Sequence, residues 1–464
     1  MKNEYLIEEK PLKALFIFAL PMIIGNFFQQ FYTMADSIIV GRYVSENALA
    51  AVGASNSLTT VFISIAIGGG IGASVITSRH FGARYYDKML LSIRTALISF
   101  LAISFILGIF GLIFSKQIMI ALNTPENILS QASGYLSIYF IGLPFLFMYN
   151  ILSSMFNALG KSRIPLYLLI FSSVFNIALD LAMVRIFNLG VMGVALATLI
   201  AQGISALLAF LLFLKELKLY SVSESDSVKN LEPTEKAVKT KYFDKTEFFD
   251  MARVALPSIL QQSTVSIGMM LVQSVVNSFG SEVLAGFSAA SRIESLCIVP
   301  MAATGNAISS YTAQNIGAGR FDRVRQGYRQ AYIILFGFAI AICLALELAY
   351  RPLILMFIGE EGTSLALETG TGYLKFLGWF FILIGLKMTT DGVLRGAGDM
   401  KMFTVANLIN LSIRVIIATT LAPVYGVHMV WIAVPIGWAA NYVISFSQYL
   451  TGKWIKIHIK NVEE

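Results

Sequence analysis

The sequence predicts an all-α membrane protein: twelve transmembrane helices in two six-helix lobes related by a pseudo-two-fold axis along the membrane normal. Three observations predict it. Hydrophobic residues make up 56% of the chain and charged residues only 13%, against roughly 25% charged in soluble domains. Twelve apolar runs are long enough to cross a bilayer as helices, which takes about 20 residues each. The chain also repeats itself. Gly82, Ala83, Asp87 and Arg94 match Gly317, Ala318, Asp322 and Arg329 at an offset of 235. Leu20-Pro21 matches Leu256-Pro257 at 236, and Gly134-Tyr135-Leu136 with Gly160 match Gly372-Tyr373-Leu374 with Gly398 at 238. A period that long is not a solenoid repeat; it suits a transporter half that has been duplicated.

In order, the runs cover 13–38, 48–76, 90–114, 132–156, 164–186, 191–214, 252–279, 284–312, 330–350, 371–393, 402–421 and 427–450. No run alternates with period two, which argues against a transmembrane β-barrel. Six crossings per half bring both halves in from the same side, so the repeats are parallel. The expected division is an N-terminal lobe over 1–214, a polar cytoplasmic linker over 215–250 and a C-terminal lobe over 251–464. Each half is expected to open either with a short in-plane amphipathic helix or with a simply frayed helix end, around Leu6, Ile7 and Leu12 in the first and Phe248, Phe249 and Met251 in the second. Met1–Lys10 is acidic and lacks the basic start and apolar core of a cleaved signal, so none is expected.

Basic residues set the orientation. Of 34 Lys and Arg, 25 fall in the termini and even-numbered turns and four in the odd-numbered turns. Basic turns stay in the cytoplasm, which puts both termini there. The net charge of +7 is thereby accounted for by topology, with no nucleic-acid partner.

Ionisable groups at membrane depth are costly and mark function. Asp36 in the first crossing and Asp180 in the fifth both fall in the outer half of the first lobe. Asn176 sits one turn from Asp180 on the same helical face, Gln29 lies two turns before Asp36, and Thr198 is in the outer half of the sixth crossing. These five are expected to line one cavity for cation coupling and substrate. A carboxylate taken out of water binds a proton, a metal cation or an organic cation rather than stay bare. Competition for such a site is the simplest basis of cation antiport. Asp36, Asp180 and Asn176 are the ligands on offer to Na+. The bland alternative makes both acids interfacial residues near their helix ends. In the second half, Arg292, Glu294, Lys387, Asp391 and Arg414 are secondary candidates. Lys387 and Asp391, spaced i, i+4, can pair, so these residues also read as structural ion pairs.

Other signals are weaker. Pro21, Pro144, Pro165, Pro257, Pro300 and Pro435 lie in or at the ends of crossings, where proline kinks a helix. Gly68 and Gly72 have the GxxxG spacing of close helix packing. Gly160-Lys161-Ser162 resembles the end of a nucleotide-binding loop, but Met155 stands where its first glycine belongs. No zinc spacing or catalytic constellation is present, so neither an enzyme nor a cofactor is expected.

At this point the residues resemble a known family. Leu20-Pro21, Gln29, Asp36 and Gly41, then Gln314-Asn315-Ile316-Gly317-Ala318 and Leu394-Arg395-Gly396-Ala397-Gly398-Asp399, are similar to the multidrug and toxic compound extrusion (MATE) transporters over essentially the whole chain. Asn176, Asp180 and Thr198 resemble the DNA-damage-inducible F branch. The resemblance implies a two-lobe inner-membrane exporter that moves small amphiphilic organic cations out of the cell in exchange for H+ or Na+, with the Asp residues of the first lobe coupling the cation. Function as a monomer in the lipid bilayer is expected of a chain that carries both of its halves. The competing reading is a lipid-linked oligosaccharide flippase of the same superfamily.

Overall fold

The computed structural model describes residues 4–221, 241–359, 362–455 and 457. All regular elements among them are helices. They are α1 (Tyr5–Glu8), α2 (Pro11–Tyr43), α3 (Glu46–Gly82), α4 (Tyr86–Ala121), α5 (Glu126–Ala158), α6 (Arg163–Arg185), α7 (Gly190–Ser221), α8 (Lys245–Asn277), α9 (Ser281–Gly317), α10 (Phe321–Ile358), α11 (Ser364–Gly378), α12 (Phe381–Ala397), α13 (Met400–Thr420), α14 (Ala422–Tyr425) and α15 (His428–Leu450). Eleven of them are long and apolar enough to cross a membrane singly. The expected tenth crossing is instead a bent pair, α11 and α12, which meet at 55° across Trp379 and Phe380. The apolar run is continuous there, so hydropathy carries no trace of the break.

Local chemistry sets the helix ends. Ser45 caps α3, its hydroxyl accepting from the Ala48 N–H at 3.1 Å. Gly160 and Gly398, a matched pair of the internal repeat, have φ of +74° and +75°. That left-handed conformation ends a helix at no steric cost only for glycine. The expected linker is helical at both ends, since α7 runs on to Ser221 and α8 starts at Lys245; its middle, 222–240, lies outside the described residues. Asp244 caps α8. Its Oδ1 accepts from the N–H groups of Thr246 at 2.9 Å and Glu247 at 3.2 Å, and these bonds hold its carboxyl below the usual carboxylate range. A depressed pKa stabilises the fold above the unfolded value of about 3.9, and the benefit disappears as pH falls through the folded value. Asp244→Ala is therefore expected to cost about 1 kcal/mol at neutral pH. In thermal melts of the purified protein, its difference from wild type should narrow as pH falls below about 3.9.

The chain forms two compact units that do not follow the repeat boundaries. One is Ile24–Ile259; the other combines Met1–Ile23 with Leu260–Glu464. Both divisions fall within a turn of a proline inside a helix, Pro21 in α2 and Pro257 in α8, where a backbone hydrogen bond is lost. The start of each repeat thus belongs to the unit formed mainly by the other.

In the 24–259 unit, α5 packs on α3, α4 and α7, and α6 lies along α7. The core holds the edge-to-face pair Phe156 and Phe213, 5.0 Å between ring centres. Gly68 and Gly72 are indeed a packing surface, and what they pack is the first half of α8. A Cβ on Gly68 would sit 2.6 Å from Ile259 Cα, and one on Gly72 2.5 Å from the Ala255 nitrogen. Polar contacts hold the same segment. The Asp244 N–H donates to Thr95 Oγ1 at 3.1 Å, and His80 Nε2 lies 3.1 Å from both Glu247 oxygens.

In the other unit, α9 packs on α10, α11 and α12, while α15 covers α12 and α13. The start of the chain departs from the in-plane expectation. Tyr5, Leu6 and Ile7 of α1 are buried. Four residues of helix leave their carbonyls without in-helix partners, and neighbouring donors supply them. Asn315 Nδ2 donates to the Leu6 carbonyl at 3.1 Å, Arg320 to that of Ile7 at 3.0 Å, and Arg323 to that of Glu9 at 2.6 Å. The second in-plane segment is likewise absent as a separate element: Phe248, Phe249 and Met251 belong to α8.

Candidate functional site

Four helices of the 24–259 unit bring polar side chains together at membrane depth. Asp36 comes from α2 and Asp180 from α6, and the two carboxyl groups stand within electrostatic and hydrogen-bonding reach of each other. Asp180 is wholly buried and Asn176, one turn away, nearly so. In the amide orientation that satisfies both of its ends, an assignment made from the hydrogen-bond network, Asn176 Nδ2 donates to Asp180 Oδ2 at 3.0 Å and to the Tyr32 hydroxyl at 3.2 Å. Its Oδ1 then accepts from the Thr198 N–H of α7 at 3.2 Å. Among the described residues no N–H or O–H donor reaches Oδ1 of either acid, so these oxygens are left to the other carboxyl, a proton or a cation. Two like charges this close are not both ionised without a compensating cation.

Asp36, Asp180, Asn176 and Thr198 thus come together as the sequence pattern suggests. Gln29 does not join them. It lies on the same face of α2 as Asp36, but seven residues are about 10 Å of helix. Its side chain is exposed and makes no hydrogen bond among the described residues. Two tyrosines were not among the candidate site residues. Tyr32 bonds Thr198 and stands within electrostatic reach of both acids, as does Tyr135 of α5. Tyr32 was legible, being four residues before Asp36 on one helical face. Tyr135 was not, because only tertiary packing brings α5 there.

The second unit holds a different polar cluster. Lys387 Nζ lies 3.4 Å from Asp391 Oδ2, with both side chains almost completely buried. Asp391 also accepts from Asn407 Nδ2 at 3.2 Å and from the Ser445 hydroxyl at 2.7 Å. One turn on, Arg395 donates to Asn306 Oδ1 at 2.8 Å. Glu294 accepts from the Tyr373 hydroxyl at 2.7 Å, and Arg414 acts on it electrostatically. Arg292 is exposed and stands apart from this cluster. Every acid here has a base or a donor within reach, so the arrangement is that of a compensated network.

Comparison with known proteins places these features. The MatE family model matches residues 21–182 and 257–420, one match per repeat. The chain is 29% identical to the probable multidrug resistance protein YpnP of Bacillus subtilis (strain 168), over 96% of each chain. It is 22% identical to the multidrug export protein MepA of Staphylococcus aureus (strain N315), over 93% of this chain and 92% of that one. Among solved structures, the crystal structure of MATE in the bent conformation superposes with a TM-score of 0.86 at 24% identity, covering all of both chains.

Proposed function

Since the chain belongs to the MatE family and is a multi-pass membrane transport protein, we propose that it exports small amphiphilic organic cations, driven by inward H+ or Na+. The observation that carries this reading is the carboxyl pair Asp36 and Asp180, within reach of each other and ringed by Asn176, Tyr32 and Thr198. In the proton form, one proton sits between the two acids. In the sodium form, Asp36, Asp180 and the Asn176 carbonyl oxygen supply hard oxygen ligands. Either ion changes the charge of the recess by one unit, and that change sets its affinity for a positively charged guest. Loading and release of substrate are thereby tied to the gradient without nucleotide hydrolysis. On this reading the protein sits in the inner membrane with both termini cytoplasmic, which the distribution of basic turns supports, and works as a monomer.

The test is ethidium transport by the full chain in proteoliposomes, with H+ and Na+ gradients imposed separately. One gradient should drive uptake into vesicles that hold the protein inside-out, and Asp36→Asn should remove that drive. Transport equally fast with neither gradient would refute coupling.

A further inference from the structure

Asn315, in the Gln314–Ala318 run of the second repeat, belongs to neither polar cluster. It lies near the end of α9, is fully buried, and is aimed by its neighbours. Its Nδ2 donates to the Tyr311 carbonyl at 2.8 Å, and its Oδ1 accepts from Arg323 Nε of α10 at 3.0 Å. The Tyr311 hydroxyl in turn donates to the Arg323 carbonyl at 3.0 Å. The corner between α9 and α10 thus holds an amide and a guanidinium in fixed positions. Both also donate to the backbone of the chain's own start. Asn315 Nδ2 and Arg323 Nη2 reach the Leu6 carbonyl at 3.1 and 3.3 Å. Arg323 Nη2 reaches that of Glu9 as well, and Arg320 Nη1 that of Ile7.

Three carbonyls of one short segment are therefore held by side-chain donors, while Leu6 and Ile7 are buried. Main-chain hydrogen bonds with pockets for apolar side chains are how a peptide is recognised. Only Glu9 and Lys10 separate α1 from α2, and the Glu9 carboxylate pairs with Lys13 of α2 at 3.0 Å. Where α1 docks, the foot of α2 is therefore held too. That foot, up to Ile23, belongs with 260–464, whereas Asp36 further along α2 belongs with 24–259. The other half repeats the device. At the offset of 235, His80 takes the position of Asn315, and His80 Nε2 contacts Glu247 in the first turn of α8. In both halves the same repeat position meets the lead-in of the other repeat, which a chance contact would not reproduce.

We propose that the α9–α10 corner is a docking site for the chain's own residues 5–9, and that this strap stays docked during transport and fixes the foot of α2. The site reads backbone, so the exposed side chain of Glu8 is free to vary while Leu6 is not. The docking stands on the contacts alone; its part in transport rests on the exporter reading above. An anchored foot gives the segment of α2 that carries Asp36 a fixed base.

The test is hydrogen–deuterium exchange of the full-length protein in micelles, with and without ethidium, read by mass spectrometry. A four-residue helix does not persist on its own, so protection of the Ile7, Glu8 and Glu9 amides, which bond the Glu4 and Tyr5 carbonyls, reports docking. These amides should exchange at least about tenfold more slowly than in an unstructured peptide, and equally slowly with ethidium present. Leu6→Asp should bring them to the free rate, and Arg323→Gln, the milder variant, should speed them several-fold. Glu8→Ala, at an exposed position, should change nothing. In proteoliposomes Leu6→Asp and Arg323→Gln should slow ion-driven ethidium transport several-fold, with Glu8→Ala at the wild-type rate. Free exchange in wild type, or loss of protection on adding ethidium, would overturn the proposal. So would wild-type transport by a variant whose strap exchanges freely. Wild-type transport that needs neither gradient would instead refute the coupling reading and leave the exchange result standing.

Discussion

Asp180→Asn is expected to abolish ion-driven ethidium efflux while leaving the protein in the membrane. Asparagine keeps the size of the side chain, and its oxygen still accepts from Asn176, so the packing of α6 survives. What it loses is the ability to exchange a proton or a cation. Without a proton or cation to exchange at this position the coupling step is lost, so the efflux rate should fall by at least about tenfold, a barrier rise of about 1.4 kcal/mol or more. Efflux is measured in cells and normalised to the protein in the membrane fraction. Asp36→Asn and the double variant complete the cycle. Because the two carboxyls act as one unit, their losses should not add. Normal efflux in both single variants would eliminate the mechanism.

The second large effect lies in the other unit and concerns stability. Lys387→Met leaves the Asp391 carboxylate buried without its ammonium partner. Breaking a buried pair in this way typically costs 3–5 kcal/mol. Two remaining donors, Asn407 and Ser445, soften the loss but bring no charge. The purified protein should therefore melt several degrees lower. Lys387→Met combined with Asp391→Leu should recover much of the loss, since an apolar replacement of both partners is often neutral. A transport role would give a different outcome: normal melting with impaired efflux. An unchanged melting curve in Lys387→Met would show that the pair contributes no net stability.

The two clusters illustrate what can be read from a chain without its fold. Asp36, Asp180 and Asn176 stand out because a polar residue at membrane depth is rare and helical spacing puts Asn176 and Asp180 on one face. The same reasoning flagged Lys387 and Asp391 and saw that they could pair. Gln29 faces the same way as Asp36 but lies two turns along the helix and is exposed. Arg292 is exposed in the structure. Tyr135 could not have been found, since nothing local ties α5 to α2 and α6.

From composition, apolar run lengths and the internal repeat alone, the all-helical membrane fold, the number of crossings and the duplication follow, because each depends on solvent transfer and covalent order, which are local. Whether a crossing is straight or broken between Gly378 and Phe381, which unit takes the start of each repeat, and which oxygen meets which donor depend on packing between segments far apart in the chain. Proline permits a division inside α2 and α8, and Gly68 and Gly72 permit a close approach, but only the partners' shapes decide that Ile259 and Ala255 fill the space.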